Sequence, residues 1–265
     1  MAAFVLPTQP ATPYYLAMPD MKAAIMYVLI LNITAIALAF NSKKEQQMAT
    51  EETELFYLIR KADSTTPKKP LLVLLHGFGS NEQDLFTLTG LVPQNWVVVA
   101  LRGPIALGNH QYAWYHAQLQ QGKITINQPE EEKSRELITK WIKHKTNEWN
   151  IDPERIVVAG FSQGGSLAGS IALANPDAVT GFAVFSGRFV EEIRPFIKAS
   201  KNYKNMKAFI THGTNDNMLP AAYALNNKQE LDRLGINTVY NEDNNGHAIS
   251  PKQINAFVNW LNTYQ

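Results

Sequence analysis

The chain has 265 residues, 45% of them apolar and 18% charged, with a formal net charge of +1. An apolar fraction at the ordinary globular level excludes disorder for the bulk of the chain, and near-neutral charge with scattered Lys and Arg excludes nucleic acid as the main partner. The sequence has no cysteine, which excludes thiol nucleophiles, CxxC redox chemistry, iron–sulfur clusters, Cys-ligated zinc and disulfides.

Residues 1–50 read as an N-terminal extension. Pro7, Pro10, Pro13 and Pro19 forbid a continuous helix in the first stretch. An apolar run then occupies residues 23–40, broken only by Asn32 and Thr34, and a polar spacer from Asn41 to Gln47 follows it. If translation starts at Met21, Lys22 and this run form a signal peptide, with Ala37-Leu38-Ala39 as its cleavage site. Otherwise the run is a thin membrane anchor. The expectation is export (periplasmic or secreted) or anchoring, with membrane association through residues 23–40; a start further downstream would leave the protein cytoplasmic.

Residues 51–265 read as one α/β domain, a length that buries a substantial core. Leu55-Phe56-Tyr57-Leu58-Ile59 opens it as a strand. Leu71 to Leu75, Trp96 to Ala100, Ile156 to Ala159, Phe182 to Phe185 and Ala208 to Ile210 are continuous apolar runs of β type, followed by a last strand from Asn237 to Tyr240. Strands apolar on both sides belong inside a parallel sheet covered on each face. Leu137, Ile138, Trp141, Ile142 and Trp149 mark one face of a long helix. Ile254, Phe257, Val258 and Leu261 mark the last helix, with Ser250 as N-cap, Pro251 in the first turn and Gln253 completing a capping box. The expected fold class is a three-layer α/β sandwich, a mostly parallel sheet with helices on both faces. Between Ser186 and Lys207 some twenty residues leave room for one or two short helices, not a large cap domain.

Gly160-Phe161-Ser162-Gln163-Gly164 fits G-x-S-x-G. By chance alone such a match is weak evidence. Here it follows a strand and precedes the small-residue helix Ser166 to Ala174, the context of a nucleophile elbow. A serine hydroxyl needs a base to take its proton and an acid to orient that base. Of the six histidines, His76, His110 and His116 precede Ser162, and His144 lies in a helix. His212 ends a strand and reads as structural, whereas His247 lies in a loop before the last helix and is the expected base. Asp216, just past the strand at 208–210, is the expected acid; Glu242 and Asp243 compete for that role from a turn close to His247. The backbone N–H groups of Gln163 and Phe78 are the expected oxyanion donors.

These segments resemble the α/β-hydrolase superfamily and, within it, the compact carboxylesterase, lysophospholipase and acyl-protein thioesterase family. The resemblance runs from about Leu55 to the C terminus. It is carried by His76-Gly77-Phe78-Gly79, Asn150 to Ile156, Gly160 to Gly165, His212-Gly213-Thr214-Asn215-Asp216 and Gly246-His247. It implies hydrolysis of esters or thioesters without metal or cofactor, with Ser162, Asp216 and His247 as the triad. Two segments depart from the family pattern: Ala100-Leu101-Arg102-Gly103-Pro104 stands where A-P-x-x-P is usual, and His116 follows Trp114-Tyr115 where Asp is usual. Both belong to the pocket-lining excursion and so bear on substrate rather than on chemistry; in the stretch Gly103 to Gln128, Tyr112, Trp114 and Tyr115 either wall an acyl or aryl group or pack the excursion onto the body. Met218 and Leu219 beside Asp216 are the other expected substrate contacts. Small or medium acyl esters are the expected small-molecule substrates, with lysophospholipids and thioesters open.

Two other readings compete with this one. Gly77-Phe78-Gly79 after a strand begins like a dinucleotide fingerprint, but Glu82 stands where the third glycine belongs and would repel pyrophosphate. A catalytically silent hydrolase fold that binds a ligand or a protein is the alternative of a different class.

Overall fold

The computed structural model describes residues 54–264 apart from Ser64, Gln121, Gly122, Val190, Lys198 and Ala199. The extension expected at residues 1–50, with its apolar run at 23–40, lies outside the described residues.

The continuous apolar runs become adjacent strands, because only the middle of a covered sheet hides both of their faces. Seven strands form the sheet: β1 (Tyr57–Arg60), β2 (Lys69–Leu75), β3 (Val97–Leu101), β8 (Ile151–Phe161), β9 (Gly181–Phe185), β10 (Lys207–Gly213) and β11 (Asn237–Asp243), in the spatial order β1-β3-β2-β8-β9-β10-β11. β1 pairs antiparallel with β3 at the edge, and every other pairing is parallel. Leu72 of β2 sits level with Val98 on one side and Val157 on the other, so the three strands that lead to the site share one register.

Alternate residues of each strand feed two separate cores. Leu71, Val73 and Leu75 pack with α2 (Gln128–Glu148), α3 (Gln163–Ala174) and α4 (Ala222–Leu234) through Ile138, Trp141, Leu167, Ile171 and Leu231. Leu72 and Leu74 pack with α1 (Glu82–Phe86) and α5 (Pro251–Leu261) through Leu85, Phe257, Trp260 and Leu261. Each such side chain withdrawn from water contributes about 1.5–3 kcal/mol. The result is the expected three-layer sandwich.

The last helix begins as its sequence dictates: Ser250 and Gln253 form the reciprocal capping box, with Pro251 in the first turn. Its buried stripe is rotated from the expected one, running through Phe257, Trp260 and Leu261 while Ile254 and Val258 stay half-buried. Trp260 stacks on Phe257 at 5.8 Å and meets Phe209 at the same distance, so the aromatic cluster decides which face turns inward.

Three strands differ from expectation in extent. β1 begins at Tyr57, leaving Phe56 outside under the Arg102 guanidinium; β8 starts at Ile151 and β11 continues to Asp243. The excursion from Gly103 to Gln128 folds into two hairpins, β4 (Ile105–Gly108) with β5 (Gln111–Ala113) and β6 (Ala117–Gln120) with β7 (Lys123–Ile126). Between β9 and β10 the chain makes two 3₁₀ turns, Glu191–Phe196 and Lys201–Lys204.

Candidate active site

Ser162 sits between the end of β8 and the start of α3 with φ +53° and ψ −112°. A non-glycine residue is held in that region only where its surroundings over-determine it. Here the Ser162 N–H donates to Phe185 O at 2.8 Å and the Ser162 carbonyl accepts from Ser166 N–H at 3.0 Å. The neighbouring glycines make the turn sterically feasible: a Cβ on Gly160 would strike the Gly164 backbone, and one on Gly164 would strike the Leu75 carbonyl oxygen. The serine therefore projects from the C-terminal edge of the sheet, at the N-terminus of a twelve-residue helix.

Two loops from neighbouring strands bring the other groups to it. The loop after β10 and the loop after β11 are laced together: Thr214 N–H donates to Asp243 O at 2.9 Å and Asn215 N–H to Asn245 O at 3.0 Å. Gly213 permits this approach, since a Cβ there would meet the Asn245 and Gly246 carbonyls. His247 leans on the Phe161 ring, centroids 4.9 Å apart. Its Nε2 lies 2.9 Å from Ser162 Oγ and its Nδ1 lies 2.7 Å from Asp216 Oδ2. The carboxylate can only accept, which puts the proton on Nδ1 and leaves Nε2 to accept the serine O–H. The other carboxylate oxygen, Oδ1, accepts from the Met218 and Leu219 N–H groups at 2.9 and 2.8 Å. Burial works against the Asp216 charge, but the Leu219 N–H, His247 and the Met218 N–H outweigh it and hold the carboxyl below its ordinary range.

The competing residues are occupied elsewhere. His212 is fully buried, with Nε2 2.8 Å from Leu219 O and 3.2 Å from Asp216 Oδ2; it braces the acid's loop. Glu242 accepts from the Tyr240 hydroxyl, and Asp243 accepts from Ser250 Oγ at 2.6 Å and from Lys252.

On the opposite side of Ser162, the 77–78 peptide lies close to the serine: a Cβ on Gly77 would sit 3.6 Å from Ser162 Cβ. His76 holds this loop in place. Its Nδ1–H donates to Gly77 O at 2.8 Å and its Nε2 accepts the Gly103 N–H at 2.9 Å, an arrangement open only to the neutral ring. Burial pushes its pKa down. The Gln163 side chain is clamped by the excursion, accepting from Trp114 N–H at 3.0 Å and donating to Tyr115 O at 2.6 Å. The side chain is thus tied away from the site while its backbone stays at the helix start.

A cavity of about 360 Å³ opens in front of Ser162 and His247, walled by Phe78, Tyr115, Ile124, Ile126, Met218 and Leu219. Phe78 is 50% and Met218 69% exposed, at its rim. Trp114 is a correction. It is 0% exposed and faces the core, where its Nε1–H donates to His76 O at 2.9 Å. The strand ends at Ala113 and the chain bends through Trp114 and Tyr115, which leaves Tyr115 on the cavity wall and Trp114 off it. Tyr112 likewise stands outside the wall, beneath the Arg102 guanidinium at 4.6 Å. The unusual Arg102 is itself paired with buried Glu82 through two bonds of 2.6 and 2.7 Å, which binds the excursion's first residues to α1.

Several residues that line the cavity carry no clear signal in the sequence. Ala117, Ile124 and Ile126 come from the second hairpin, whose signal was the alternation of Ile124-Thr125-Ile126 after Gln121-Gly122. Arg188, just past β9, also lines the cavity, and no pattern around Ser186-Gly187-Arg188 marks it.

A mostly parallel sheet carrying a serine on a strained strand-to-helix elbow, with histidine and aspartate delivered from the following loops, defines an α/β-hydrolase fold. A profile of the phospholipase/carboxylesterase family matches residues 60–265, and the chain belongs to that family of esterase- and thioesterase-type hydrolases. Among curated relatives, it is 28% identical over 122 residues to lysophospholipase-like protein 1 of Mus musculus, covering 43% of this chain and 48% of the relative. It is also 28% identical over 109 residues to acyl-protein thioesterase 1 of Emericella nidulans, covering 40% and 45%. The chain thus spans about half the length of the curated relatives it matches. In fold it superposes on a Bacillus cereus carboxylesterase with a TM-score of 0.70 at 23% identity, over 83% of this chain and 100% of the other.

Proposed function

We propose that this chain is a serine hydrolase that cleaves carboxylic esters of small or medium acyl groups through an acyl-enzyme on Ser162. The observation that carries the reading is the continuous hydrogen-bonded series Ser162 Oγ, His247 Nε2, His247 Nδ1, Asp216 Oδ2 at 2.9 and 2.7 Å. In this reaction Ser162 Oγ attacks the ester carbonyl carbon while its proton passes to His247 Nε2. The developing oxyanion takes hydrogen bonds from the Phe78 and Gln163 N–H groups, and Asp216 stabilises the imidazolium. The C–O bond then breaks, and the alcohol leaves with the proton held by His247. Water repeats the sequence on the acyl-enzyme, its proton going to His247 and then back to Ser162 Oγ, and the acid is released. Tyr115, Met218 and Leu219 bind the substrate's apolar part.

The experiment is to expose the full chain to a fluorophosphonate and map the adduct by mass spectrometry. The expected result is one adduct, on Ser162, absent from Ser162→Ala. A folded protein that takes no adduct would overturn the reading in favour of a silent binding module. The apolar run at residues 23–40 supports export or anchoring of this hydrolase; recovery of the expressed chain in the soluble cytoplasmic fraction would refute that placement.

A further inference from the structure

Arg188 lines the catalytic cavity with only 8% of its surface exposed. It is fixed there by its backbone. The Arg188 N–H donates to Ser166 Oγ at 3.1 Å, and Ser166 Oγ donates in turn to Ser162 O at 3.1 Å. Gly187 packs so tightly on the first turn of α3 that a Cβ would lie 2.9 Å from Ser166 N. The arginine is therefore anchored one helical turn from the nucleophile, a rise of about 5.4 Å.

Its guanidinium is poorly compensated. Nη2 donates to Ile124 O at 3.3 Å, and no carboxylate lies within 4.0 Å of it among the described residues. Other arginines of this chain are better provided for: Arg102 holds Glu82, Arg155 holds Asp152, Arg233 holds Glu230, and Arg60 donates to three carbonyls. Glu191 and Glu192 line an adjoining cavity of about 490 Å³ of which Ile124 and Arg188 form the shared wall, beyond ion-pair distance from Arg188; Glu191 is engaged by Arg194. A largely buried cation without a carboxylate partner is costly unless an anion arrives, and the guanidinium fork matches a carboxylate or phosphate bidentately. Around it the catalytic cavity is apolar, through Ile124, Ile126 and Leu219.

We propose that Arg188 is a specificity-determining residue that binds an oxyanion, a carboxylate or phosphate, carried by the ester substrate. The inference rests on the serine-hydrolase reading and narrows its substrate class to esters with an apolar body and an anionic group. The acidic residues of the adjoining cavity oppose passage of that group beyond Arg188.

The test compares three aryl esters on the full chain: neutral 4-nitrophenyl hexanoate, mono(4-nitrophenyl) adipate with a carboxylate on the acyl side, and 4-carboxyphenyl hexanoate with one on the alcohol side. Wild type should prefer one anionic ester over the neutral one by about tenfold or more in kcat/KM, the worth of a charge-assisted hydrogen bond. Which anionic ester wins tells on which side of the scissile bond the group is carried. In Arg188→Met the preference should collapse to about one, and Arg188→Lys, which keeps the charge without the fork, should fall between. If Arg188→Met does not fold, as read by circular dichroism, the lysine variant still decides. Ester hydrolysis and Ser162 labelling with no anionic preference in wild type would overturn this proposal and leave the serine-hydrolase reading standing. So would a preference that survives unchanged in Arg188→Lys and Arg188→Met. Absence of both hydrolysis and labelling in folded protein would overturn both.

Discussion

Replacing Asp216 by Asn removes one charge and adds two N–H donors at a place where every neighbour already donates. Oδ1 must keep accepting from the Met218 and Leu219 N–H groups at 2.9 and 2.8 Å, so the new amide nitrogen takes the place of Oδ2. That nitrogen faces His247 Nδ1 at 2.7 Å, and the ring can satisfy it only as an acceptor. The imidazole proton then moves to Nε2 and points at Ser162 Oγ, 2.9 Å away, so the base is lost without moving a heavy atom. The same swap of carboxylate for amide in a Ser-His-Asp system costs about 10⁴ in kcat, or about 5.4 kcal/mol of transition-state stabilisation at 1.36 kcal/mol per tenfold. A second clash follows, because buried His212 presents its Nε2–H to the same oxygen at 3.2 Å. Stability should therefore drop as well, by about 1–3 kcal/mol. Initial rates on a 4-nitrophenyl ester and a thermal melt read the two effects separately. Glu242→Gln, at a competitor for the acid role whose carboxylate accepts from the Tyr240 hydroxyl instead, serves as control and should leave kcat within about twofold. A folded Asp216→Asn enzyme keeping a tenth or more of wild-type kcat would refute the orientation argument.

Two further outcomes follow from the same geometry. Gly164→Ala drives a methyl group into the Leu75 carbonyl where α3 meets β2, and should cost about 3 kcal/mol or more because backbone, not a side-chain end, must give way; an unchanged melting temperature would contradict the packing described. His76 is held neutral with a lowered pKa, so the unfolded chain takes up its proton first as pH falls below the ordinary value of 6.5. Its contribution to stability is complete above that value and is lost on acidification through the lower folded pKa; urea midpoints for wild type measured downward from neutral pH should fall more steeply than for His76→Gln, and parallel curves would show that this group does not carry the loss.

The parts of this protein that were legible in the sequence are those where one physical demand leaves few residue choices. Runs such as Leu71 to Leu75 can be nothing but strands covered on both faces, and the elbow glycines answer a collision that any Cβ would cause. Asp216 and His247 were legible because they follow strand ends, where a parallel sheet delivers loops to one edge. What escaped depends on contacts between segments distant in sequence. Whether Trp114 or Tyr115 faces the cavity is fixed by a hydrogen bond to His76 O, thirty-eight positions upstream. Ile124 and Ile126 reach the site because the second hairpin folds back over it. Arg188 owes its place to a serine on α3, and a lone arginine after Ser-Gly carries no pattern of its own. The stripe of α5 departs from its sequence periodicity for the same reason, since Trp260 turns toward Phe209 of a different element.

The clamp on Gln163 bears on how such a protein diversifies. The hairpin excursion reaches the elbow helix through the Trp114 N–H and the Tyr115 carbonyl, main-chain groups that any residue but proline would supply at 114 and any residue at 115. Selection for a new ester can therefore rewrite the wall's side chains one by one, or import a different hairpin wholesale, provided the backbone still presents a donor and an acceptor at those two positions. Insertions that shift this register would loosen the helix start beside Ser162, so the geometry constrains the excursion's length more than its composition.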